Sequence, residues 1–370
     1  MRILIICGGT GGHLTPGIAV AQRLRRMGQE VILATSEKAI DEWLRSHYKS
    51  LRFTVLSGSG FSFHPIRFLR FLKNLWKNFR VSWKLLRAER IDVVLAFGGF
   101  ISLGAGFAAF LRRKPLLLHE SNQRLGKSVG FLAPLAKKIF IPPSLKIREP
   151  YVENANYFPA GFPLREDFQP PAKNLAREQL GFPKDGKILL VMGGSQGAQV
   201  LVEWVRSSGE FLAKEGISVF CLTGLGGLEG VTDSHENGVR RRVQFLPFSH
   251  RMHVLYAAAD LVLCRAGAGT IAELIASVRP SILVPYPKAS KDHQRANANA
   301  LQGANAARVL QQSDMSMLEE VISELFDPEN LREMECQLLA VRKIIGQDAA
   351  QYIANEVMAL RPNGDGQKNF

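Results

Sequence analysis

The sequence repeats one pattern in both halves, a short apolar run of strand type followed by a glycine-rich loop and a helix. The clearest loops are residues 8–13 and residues 193–198, each directly after such a run. Strands that alternate with helices predict a parallel sheet covered on both faces, with ligands at the carboxyl ends of the strands. Strand signals of this kind lie at residues 2–6, 31–35, 53–56, 91–96, 115–119, 187–192, 217–223, 261–264 and 281–284.

A chain of 370 residues is long for one hydrophobic core, and its length favours two domains. Residues 142–167 are rich in proline and show little periodicity, so they mark the seam between the two strand-and-helix series. The sequence therefore predicts an α/β protein of two doubly wound domains, residues 1–162 and residues 163–346, with a cleft between them.

Charge limits the class of partner. The formal net charge of +14 indicates an anionic partner, which leaves nucleic acid, acidic lipid or a phosphorylated substrate. A nucleic-acid-binding protein would need basic residues among exposed aromatic side chains or a recognised reading module, and it would leave the glycine loops unexplained. We therefore expect no nucleic-acid partner.

The cysteine spacing and the hydropathy of the sequence argue against three further features, namely a cysteine redox or zinc site, a signal peptide and a transmembrane helix. The four cysteines are too far apart in sequence for a redox pair or a zinc cluster, and we expect buried free thiols. The first strand is too short for a signal peptide. Residues 93–111 carry no charge and are nominally long enough to span a bilayer, but Gly98, Gly99 and Gly104 divide them into strand, loop and helix.

The stretch from Cys264 to Glu273 suggests a site for a nucleotide diphosphate. An apolar strand ends there in a loop of very small residues, and a helix follows from Thr270 to Ser277. The amides that open a helix and the helix dipole favour negative charge. Glu273, one turn into the helix, is placed to accept both hydroxyls of a ribose. The alternative is that Thr270 and Glu273 form a capping box, which needs no ligand.

Other nucleotide and metal motifs are missing from the sequence. The glycine loops do not match the dinucleotide-binding fingerprint, and no acidic residue closes the second strand in the place that this fingerprint requires. There is no P-loop lysine motif, no HExxH and no carboxylate pair spaced to hold a metal beside a diphosphate. We therefore expect no metal and no cofactor, with backbone amides and basic side chains stabilising a departing phosphate.

Five motifs in order make the chain similar to the MurG family, bacterial transferases that add N-acetylglucosamine to lipid I to make lipid II. They are residues 8–13, 119–122, 193–198, 264–273 and 292–297. The resemblance implies a GT-B fold, two Rossmann-like domains with an interdomain cleft, in which the C-terminal domain holds UDP-N-acetylglucosamine and the N-terminal domain holds the lipid-linked acceptor. It also implies that the closing segment, residues 347–370, forms a helix that packs back on the N-terminal domain.

The resemblance assigns substrate contacts residue by residue. It gives Thr10, Gly11 and Gly12 to the donor's sugar and diphosphate, Asn122 to the donor sugar, Arg165 and Ser195 to the diphosphate, Gln196 to the donor, Ala268, Gly269, Thr270, Ile271, Ala272 and Glu273 to the nucleotide pocket, and Gln294 to the sugar hydroxyls.

His13 is the candidate for the general base. The reaction of the MurG family inverts the anomeric centre, so one base must deprotonate the acceptor hydroxyl as it attacks. His13 follows a loop with no large side chains to block the approach, and histidine titrates near physiological pH. The alternative is a structural histidine that holds the shape of the loop.

Four positions depart from the family pattern, which usually has Asn at Phe162, Gln at Ser121, Pro at Gly104 and an apolar residue at Ser249. They affect contacts around the nucleotide base and the acceptor, and they leave the charged residues and the glycines of the motifs unchanged. The alternative function is another GT-B enzyme that uses a UDP-sugar, such as a glycolipid glycosyltransferase or a UDP-N-acetylglucosamine 2-epimerase.

Residues 66–90 predict a helix that lies on a membrane. Eight basic side chains face a single acid there, which gives a net charge of +7. Apolar side chains recur at helical spacing on one stripe, with basic residues beside it, a combination typical of a helix at an anionic lipid surface. The residues concerned are Leu69, Leu72, Trp76, Phe79, Trp83 and Leu86 on the stripe, with Arg70, Lys73, Lys77 and Arg80 beside it.

The resemblance and the helix together predict a peripheral enzyme on the cytoplasmic face of the inner membrane. Its expected partners are UDP-N-acetylglucosamine, lipid I, an anionic membrane surface and other proteins of cell-wall synthesis and division.

Overall fold

The chain forms two compact units, residues 1–166 with the closing segment and residues 167–346. The structure is a computed structural model that describes residues 1–9, 11–58, 64–144, 156–193, 198–224, 226–236, 239–346 and 348–360. The first unit extends beyond the boundary predicted at residue 162, because the segment that carries Glu166 stays bound to Arg23 and Arg26 of the first helix.

The first unit contains a seven-stranded sheet whose strands are all parallel. The strand order is β3-β2-β1-β4-β5-β6-β7, which reverses direction at β1, as in a doubly wound fold. Buried aliphatic residues fill both faces of the central strands, which explains their nearly continuous apolar sequences. The strands are β1 (Arg2–Ile6), β2 (Glu30–Thr35), β3 (Arg52–Val55), β4 (Val93–Ala96), β5 (Leu116–His119), β6 (Lys138–Ile141) and β7 (Tyr157–Pro159).

In the part of the first unit that the structure describes, five helices cover this sheet before the chain enters the second unit. They are α1 (Gly11–Arg26), α2 (Ala39–His47), α3 (Pro65–Ala88), α4 (Ile101–Leu111) and α5 (Lys127–Leu132), with a 3₁₀ turn at Ala133–Leu135. The glycine loop predicted at residues 8–13 ends earlier than its sequence indicates. The helix begins at Gly11, and the Thr15 hydroxyl donates to the Gly11 carbonyl at 2.9 Å. Gly11, Gly12 and His13 therefore belong to the first helical turn.

Helices α3 and α4 pack in close contact at Gly104. A Cβ atom at this position would lie 2.9 Å from both the Leu75 carbonyl oxygen and the Phe79 amide nitrogen. The buried Asn78 amide then donates to the Ile101 carbonyl at 2.9 Å and fixes the register of the two helices. Glycine at this departure from the family pattern is therefore explained by helix packing.

The apolar stripe predicted on α3 is divided between solvent and core. Leu69 and Trp76 are 66% and 61% exposed, and Leu72 is also exposed. Phe79 and Trp83 are half-buried against the core, and Leu86 is fully buried. The carboxyl-terminal half of the predicted stripe therefore packs in the core, because α3 packs on α4 there. The predicted basic residues are all exposed, namely Arg70, Lys73, Lys77 and Arg80.

The second unit also contains a seven-stranded sheet, in the order β10-β11-β9-β8-β12-β13-β14. All neighbours are parallel except β10 and β11, which form an antiparallel hairpin at one edge. The strands are β8 (Lys187–Met192), β9 (Ile217–Leu222), β10 (Gly230–Glu236), β11 (Val239–Leu246), β12 (Leu261–Cys264), β13 (Ser281–Leu283) and β14 (Arg308–Val309).

Among the described residues, eight helices belong to the second unit, and a final helix returns to the first. The eight are α6 (Lys173–Leu180), α7 (Gln199–Ser207), α8 (Gly209–Lys214), α9 (Met252–Ala258), α10 (Ala268–Ser277), α11 (His293–Gln302), α12 (Leu318–Leu325) and α13 (Pro328–Ile345), with 3₁₀ turns at Ser290–Asp292 and Gln312–Met317. The last helix, α14 (Ala349–Met358), contacts α1, and its Tyr352 ring lies 6.1 Å from the Phe140 ring of β6.

Two doubly wound α/β units agree with the predicted fold class. Three predicted features are corrected: β7 lies inside the predicted seam, α10 begins at Ala268 instead of Thr270, and the β10–β11 hairpin interrupts the expected alternation. Within the described residues, no helix is both long and apolar enough to cross a membrane.

Candidate functional site

The first candidate site is at the carboxyl edge of the sheet in the first unit. Strands β1, β4 and β5 are neighbours and parallel, so the loops that follow them leave the sheet on the same side. These loops carry Gly8 and Gly9, Gly98 and Gly99, and the residues from His119 onward. The sheet therefore brings together motifs that are more than a hundred residues apart in sequence.

His13 packs against the two glycines that follow β4. A Cβ atom at Gly98 would lie 3.4 Å from His13 Nε2, and one at Gly99 would lie 3.5 Å from Nδ1. Both glycines have positive φ, 91° and 77°, a region that other residues rarely adopt. The half-buried imidazole of His13 is thus held at the amino-terminal turn of α1 by backbone that has no side chains.

His119 is a second histidine at the same edge, and it is fully buried. Its Nε2 lies 3.4 Å from the Gly161 carbonyl oxygen, and its Nδ1 lies 3.4 Å from Ser121 Oγ. Burial lowers the pKa of His119 to about 4, the Gly161 carbonyl opposes this shift, and the charge of nearby His13 adds to it. His119 is therefore neutral at physiological pH and suited to positioning the surrounding loops.

Glu120 shapes the loop that contains Asn122. Its Oε1 accepts from the Asn122 backbone amide at 2.9 Å and from the Asn122 side-chain amide at 3.0 Å. Its Oε2 accepts from the Gly126 amide at 2.7 Å. Burial raises the pKa of this carboxyl, and these three hydrogen bonds together with one from the Ser121 backbone oppose the rise. Asn122 is thus fixed by a neighbouring carboxylate, a role that the sequence analysis did not assign.

Asp41 is another residue that the sequence analysis missed. It is fully buried in α2, and its Oδ2 accepts from the Gly9 amide at 2.8 Å and from the Ser36 amide and hydroxyl at 2.9 and 2.6 Å. The acidic group near the end of the second strand therefore binds the backbone of the glycine loop. Nothing in the local sequence marked it, because Asp41 reads as an ordinary first-turn helix residue.

Arg165 lies in the first unit, where its Nη1 donates to the Tyr48 hydroxyl at 2.7 Å. This contact holds the segment after β7 against the end of α2. The contact with a diphosphate that the resemblance implies for Arg165 stays a prediction.

The second candidate site surrounds the start of α10 in the second unit. The N-cap residue is Gly267, which makes no side-chain cap, and Thr270 is the third residue of the helix. The capping-box interpretation of Thr270 and Glu273 is therefore wrong, since a capping box requires the Thr at the N-cap. A glycine N-cap leaves the first amides of the helix accessible to an anion.

Glu273 is half-buried and held from below by Tyr256 of α9. The Tyr256 hydroxyl donates to Glu273 Oε2 at 3.0 Å and lies 3.3 Å from the Met192 sulfur at the end of β8. Tyr256 has no exposed surface. The local sequence does not predict this role for Tyr256, because the residue stands in an apolar helical run where an aromatic side chain indicates only core packing.

Arg265 organises the loop after β13. Its guanidinium is almost wholly buried and donates to the carbonyl oxygens of Val284 and Pro285 at 3.1 and 3.3 Å. The Arg265 guanidinium also lies 5.4 Å from the Tyr286 ring centroid, and the Tyr286 amide donates to Gln294 Oε1 at 2.9 Å. Gln294 is thereby connected to the loop that opens α10.

The backbone before α11 is strained. Lys291 and Asp292 have φ values of 51° and 53°, which place two consecutive non-glycine residues in the left-handed region. Each such residue costs on the order of 1–3 kcal/mol, and such strain tends to cluster at ligand-binding sites. The strained turn places the following residues, among them Gln294, on the first turn of α11.

Three predicted site residues, Thr10, Ser195 and Gln196, lie outside the described residues. The structure describes the remaining ones, and it groups them by unit. His13, Gly11, Gly12, Asn122 and Arg165 lie in the first unit, whereas Ala268, Gly269, Thr270, Ile271, Ala272, Glu273 and Gln294 lie in the second.

Two family models match the chain. The glycosyltransferase family 28 N-terminal domain matches residues 3–141, and the glycosyltransferase family 28 C-terminal domain matches residues 188–347. A protein of Opitutus terrae is 42% identical over 90% of this chain and 89% of its own length. It is named UDP-N-acetylglucosamine–N-acetylmuramyl-(pentapeptide) pyrophosphoryl-undecaprenol N-acetylglucosamine transferase. The chain belongs to the MurG family of glycosyltransferases.

Further comparisons agree with membership of the MurG family. A protein of Salinibacter ruber with the same name is 33% identical over 97% of this chain and 96% of its own length. The crystal structure of Acinetobacter baumannii MurG matches with a TM-score of 0.70 and 24% identity over 97% of this chain and 99% of that one. The predicted GT-B fold and glycosyltransferase class are confirmed.

The burial of neutral His119 makes the stability of this MurG-family protein depend on pH. Because the pKa of His119 falls from its ordinary value of 6.5 to about 4 on folding, the unfolded chain binds more protons between these values. The contribution to stability is therefore complete above about pH 6.5 and is lost as the pH falls toward 4. Between about pH 7 and pH 4.5, the wild type should lose about 2 kcal/mol more unfolding free energy than His119→Gln.

Urea unfolding at a series of pH values measures this difference. Glutamine keeps an amide near the position of Nε2 but has no titrating group in this range. Identical pH profiles for the two proteins would show that His119 is not buried in its neutral form.

Proposed function

We propose that this protein transfers N-acetylglucosamine from UDP-N-acetylglucosamine to the C4 hydroxyl of the N-acetylmuramoyl moiety of lipid I, giving lipid II for peptidoglycan synthesis. The observation that carries the proposal is the match along nearly the whole chain to relatives named for this transfer, up to 42% identical. The predicted motifs lie within the matched length.

The second unit supplies the chemistry for a nucleotide-diphosphate donor. The glycine N-cap of α10 offers backbone amides, and the helix dipole adds partial positive charge, so a diphosphate is stabilised there. Glu273 lies one turn further along the helix, where its carboxylate accepts from ribose hydroxyls. Gln294, fixed through the Tyr286 amide, supplies polar atoms for the sugar.

The first unit supplies a base for the acceptor. In an inverting transfer, the acceptor oxygen forms a bond to the anomeric carbon as the bond to the UDP oxygen breaks, and the hydroxyl proton passes to the base. His13 takes this proton in our proposal. Negative charge develops on the departing UDP, and backbone amides and basic side chains stabilise it without a metal ion.

A transfer assay tests the proposal. Purified protein with labelled UDP-N-acetylglucosamine and a lipid I analogue should release UDP and form the disaccharide product, and no UDP should be released without the acceptor. Epimerisation of the donor without any acceptor, or transfer to a glycolipid in place of the lipid I analogue, would favour the alternative GT-B enzymes.

The role of His13 is tested by its replacement. His13→Ala should lower kcat by about 10²–10⁴-fold, because general-base catalysis typically contributes that much, while the Kd of UDP changes little. Steady-state kinetics and calorimetric titration with UDP separate the two quantities. Equal losses in turnover and in UDP affinity would identify His13 as a residue that shapes the glycine loop.

We also propose that the first unit docks on an anionic membrane through α3. The amino-terminal half of α3 exposes Leu69, Leu72 and Trp76, with further exposed apolar residues at Ile66 and Phe68. Basic residues lie beside them along the helix, and α3 contains no acidic residue at all. Monomeric soluble proteins rarely expose contiguous apolar surface of this kind, especially with charge of one sign around it.

The neighbouring helix α4 supports this surface. Phe107, Phe110 and Leu111 on α4 are exposed, and Arg112 follows directly with its guanidinium 4.0 Å from the Trp83 ring centroid. The Trp76 ring in turn stacks on Phe79 at 5.5 Å. Each basic residue near an anionic surface contributes about 1 kcal/mol, so several of them hold the enzyme reversibly at the lipid that carries its acceptor.

This surface suits a peripheral enzyme on the cytoplasmic face of the inner membrane. Other proteins of cell-wall synthesis and division remain expected partners.

Charge reversal tests the membrane surface. Changing Arg70, Lys73, Lys77 and Arg80 to Glu should abolish sedimentation with vesicles that contain acidic phospholipid, since attraction becomes repulsion, and should leave the Kd of UDP unchanged. A control variant with the same change in total charge replaces four exposed basic residues of the second unit, Lys184, Arg206, Lys214 and Arg332.

The control should still sediment with these vesicles. Vesicle binding that survives the α3 reversal, or that is equal on neutral lipid, would contradict an electrostatic anchor on α3.

A further inference from the structure

Tyr256 is buried beneath the candidate nucleotide site and is not itself part of the surface of the second unit. Its ring has no exposed area and meets the Phe168 ring edge to face, with centroids 5.9 Å apart. Its hydroxyl reaches two elements, Glu273 Oε2 on α10 at 3.0 Å and the Met192 sulfur at the end of β8 at 3.3 Å. Tyr256 therefore connects helix α10 to the carboxyl end of β8.

The hydroxyl proton goes to the carboxylate. A tyrosine hydroxyl has a single proton, and a carboxylate oxygen is a far better acceptor than a thioether sulfur. Burial and the charge of Glu273 both raise the pKa of Tyr256, so its hydroxyl remains a donor over the whole working range of pH.

A phenylalanine would fill the same core volume and would bury no hydroxyl. Burying the hydroxyl of a tyrosine is unfavourable unless it makes a good hydrogen bond. Tyr256 makes its hydrogen bond to Glu273, the side chain that we propose as the ribose contact. A carboxylate has about four acceptor positions, so a donor on one of them turns the group without using up its capacity. This is how a supporting residue orients a residue that touches the ligand.

We propose that Tyr256 is a positioning residue for ribose recognition, holding the Glu273 carboxylate in the orientation that accepts from the ribose hydroxyls of a nucleoside diphosphate. The proposal rests on the proposed function, because it takes Glu273 as the ribose contact. Its consequence is selectivity. A carboxylate that is already oriented loses little conformational entropy when it binds a ribose, and a deoxyribose leaves one of its hydrogen bonds unmade. Discrimination between the two sugars therefore depends on the Tyr256 hydroxyl, which contacts neither sugar.

The test is Tyr256→Phe, with calorimetric Kd values for UDP, 2′-deoxy-UDP and 3′-deoxy-UDP. We expect UDP to bind about tenfold more weakly to the variant, because the fixed geometry of one charge-assisted hydrogen bond is lost. We also expect the ratio of the deoxy-UDP Kd to the UDP Kd to fall toward one. A general loss of stability in the second unit would weaken the binding of all three nucleotides equally and leave that ratio unchanged.

The matched control is Tyr352→Phe, which removes a tyrosine hydroxyl from α14 in the first unit. It should leave all three Kd values unchanged. Glu273→Ala separates the two proposals. If Glu273→Ala leaves the Kd of UDP and the deoxy ratio unchanged, the ribose role of Glu273 itself is wrong.

If Glu273→Ala has the expected effect and Tyr256→Phe does not, only the positioning role is overturned. The double variant Tyr256→Phe with Glu273→Ala covers the case in which Tyr256→Phe folds poorly, since removing both partners of a buried hydrogen bond is often nearly neutral for stability. It should bind UDP as Glu273→Ala does, because the two residues act through one interaction. A further large loss in the double variant would contradict the proposal.

Discussion

Buried carboxylates that accept from backbone amides hold together the loops of the first candidate site. Asp41 accepts from the glycine loop after β1, and Glu120 accepts from the loop after β5. A charge in the interior is expensive unless it is hydrogen-bonded, so each carboxylate constrains its loop to the geometry that supplies donors. The glycines in these two loops allow the backbone to approach the two carboxylates closely. A loop with few side chains of its own thereby becomes a defined surface.

The two units hold their candidate site residues in different ways. In the first unit, the fixed loops surround the two histidines, one half-buried and one fully buried and neutral. In the second unit, the carboxylate of Glu273 is itself partly exposed, and a buried tyrosine supports it from the core. The first arrangement suits proton transfer and the second suits recognition of a hydroxylated anion, which are the roles that we propose for the acceptor and donor sites.

Much of the fold could be predicted because the local sequence and the final burial agree. Residues 187–192 form the predicted strand β8 with the predicted bounds, since an apolar run between polar residues has few other places in an α/β unit. Helix starts were wrong where glycine was taken as loop. Both Gly11 and Gly269 belong to first helical turns, and the conformational freedom of glycine hides this in the sequence.

The β10–β11 hairpin was not predicted, because its strands contain few apolar residues and the hairpin lies at a sheet edge. The candidate site was predictable where motifs are contiguous, as at Glu273. It was not predictable at Asp41 or Tyr256, whose partners are 32 and 17 residues away and whose local sequences look structural.

The contact of Gly104 with α3 has a consequence for how this helix meets other surfaces. With the α4 backbone this close, α3 is packed along its carboxyl-terminal half, and most of its exposed apolar side chains lie in its amino-terminal half. Many amphipathic peptides must fold when they reach a bilayer, and the entropy lost on folding opposes their adsorption. In the membrane docking that we propose, a helix that is already folded and packed avoids that opposition, so a modest apolar area is enough for reversible adsorption.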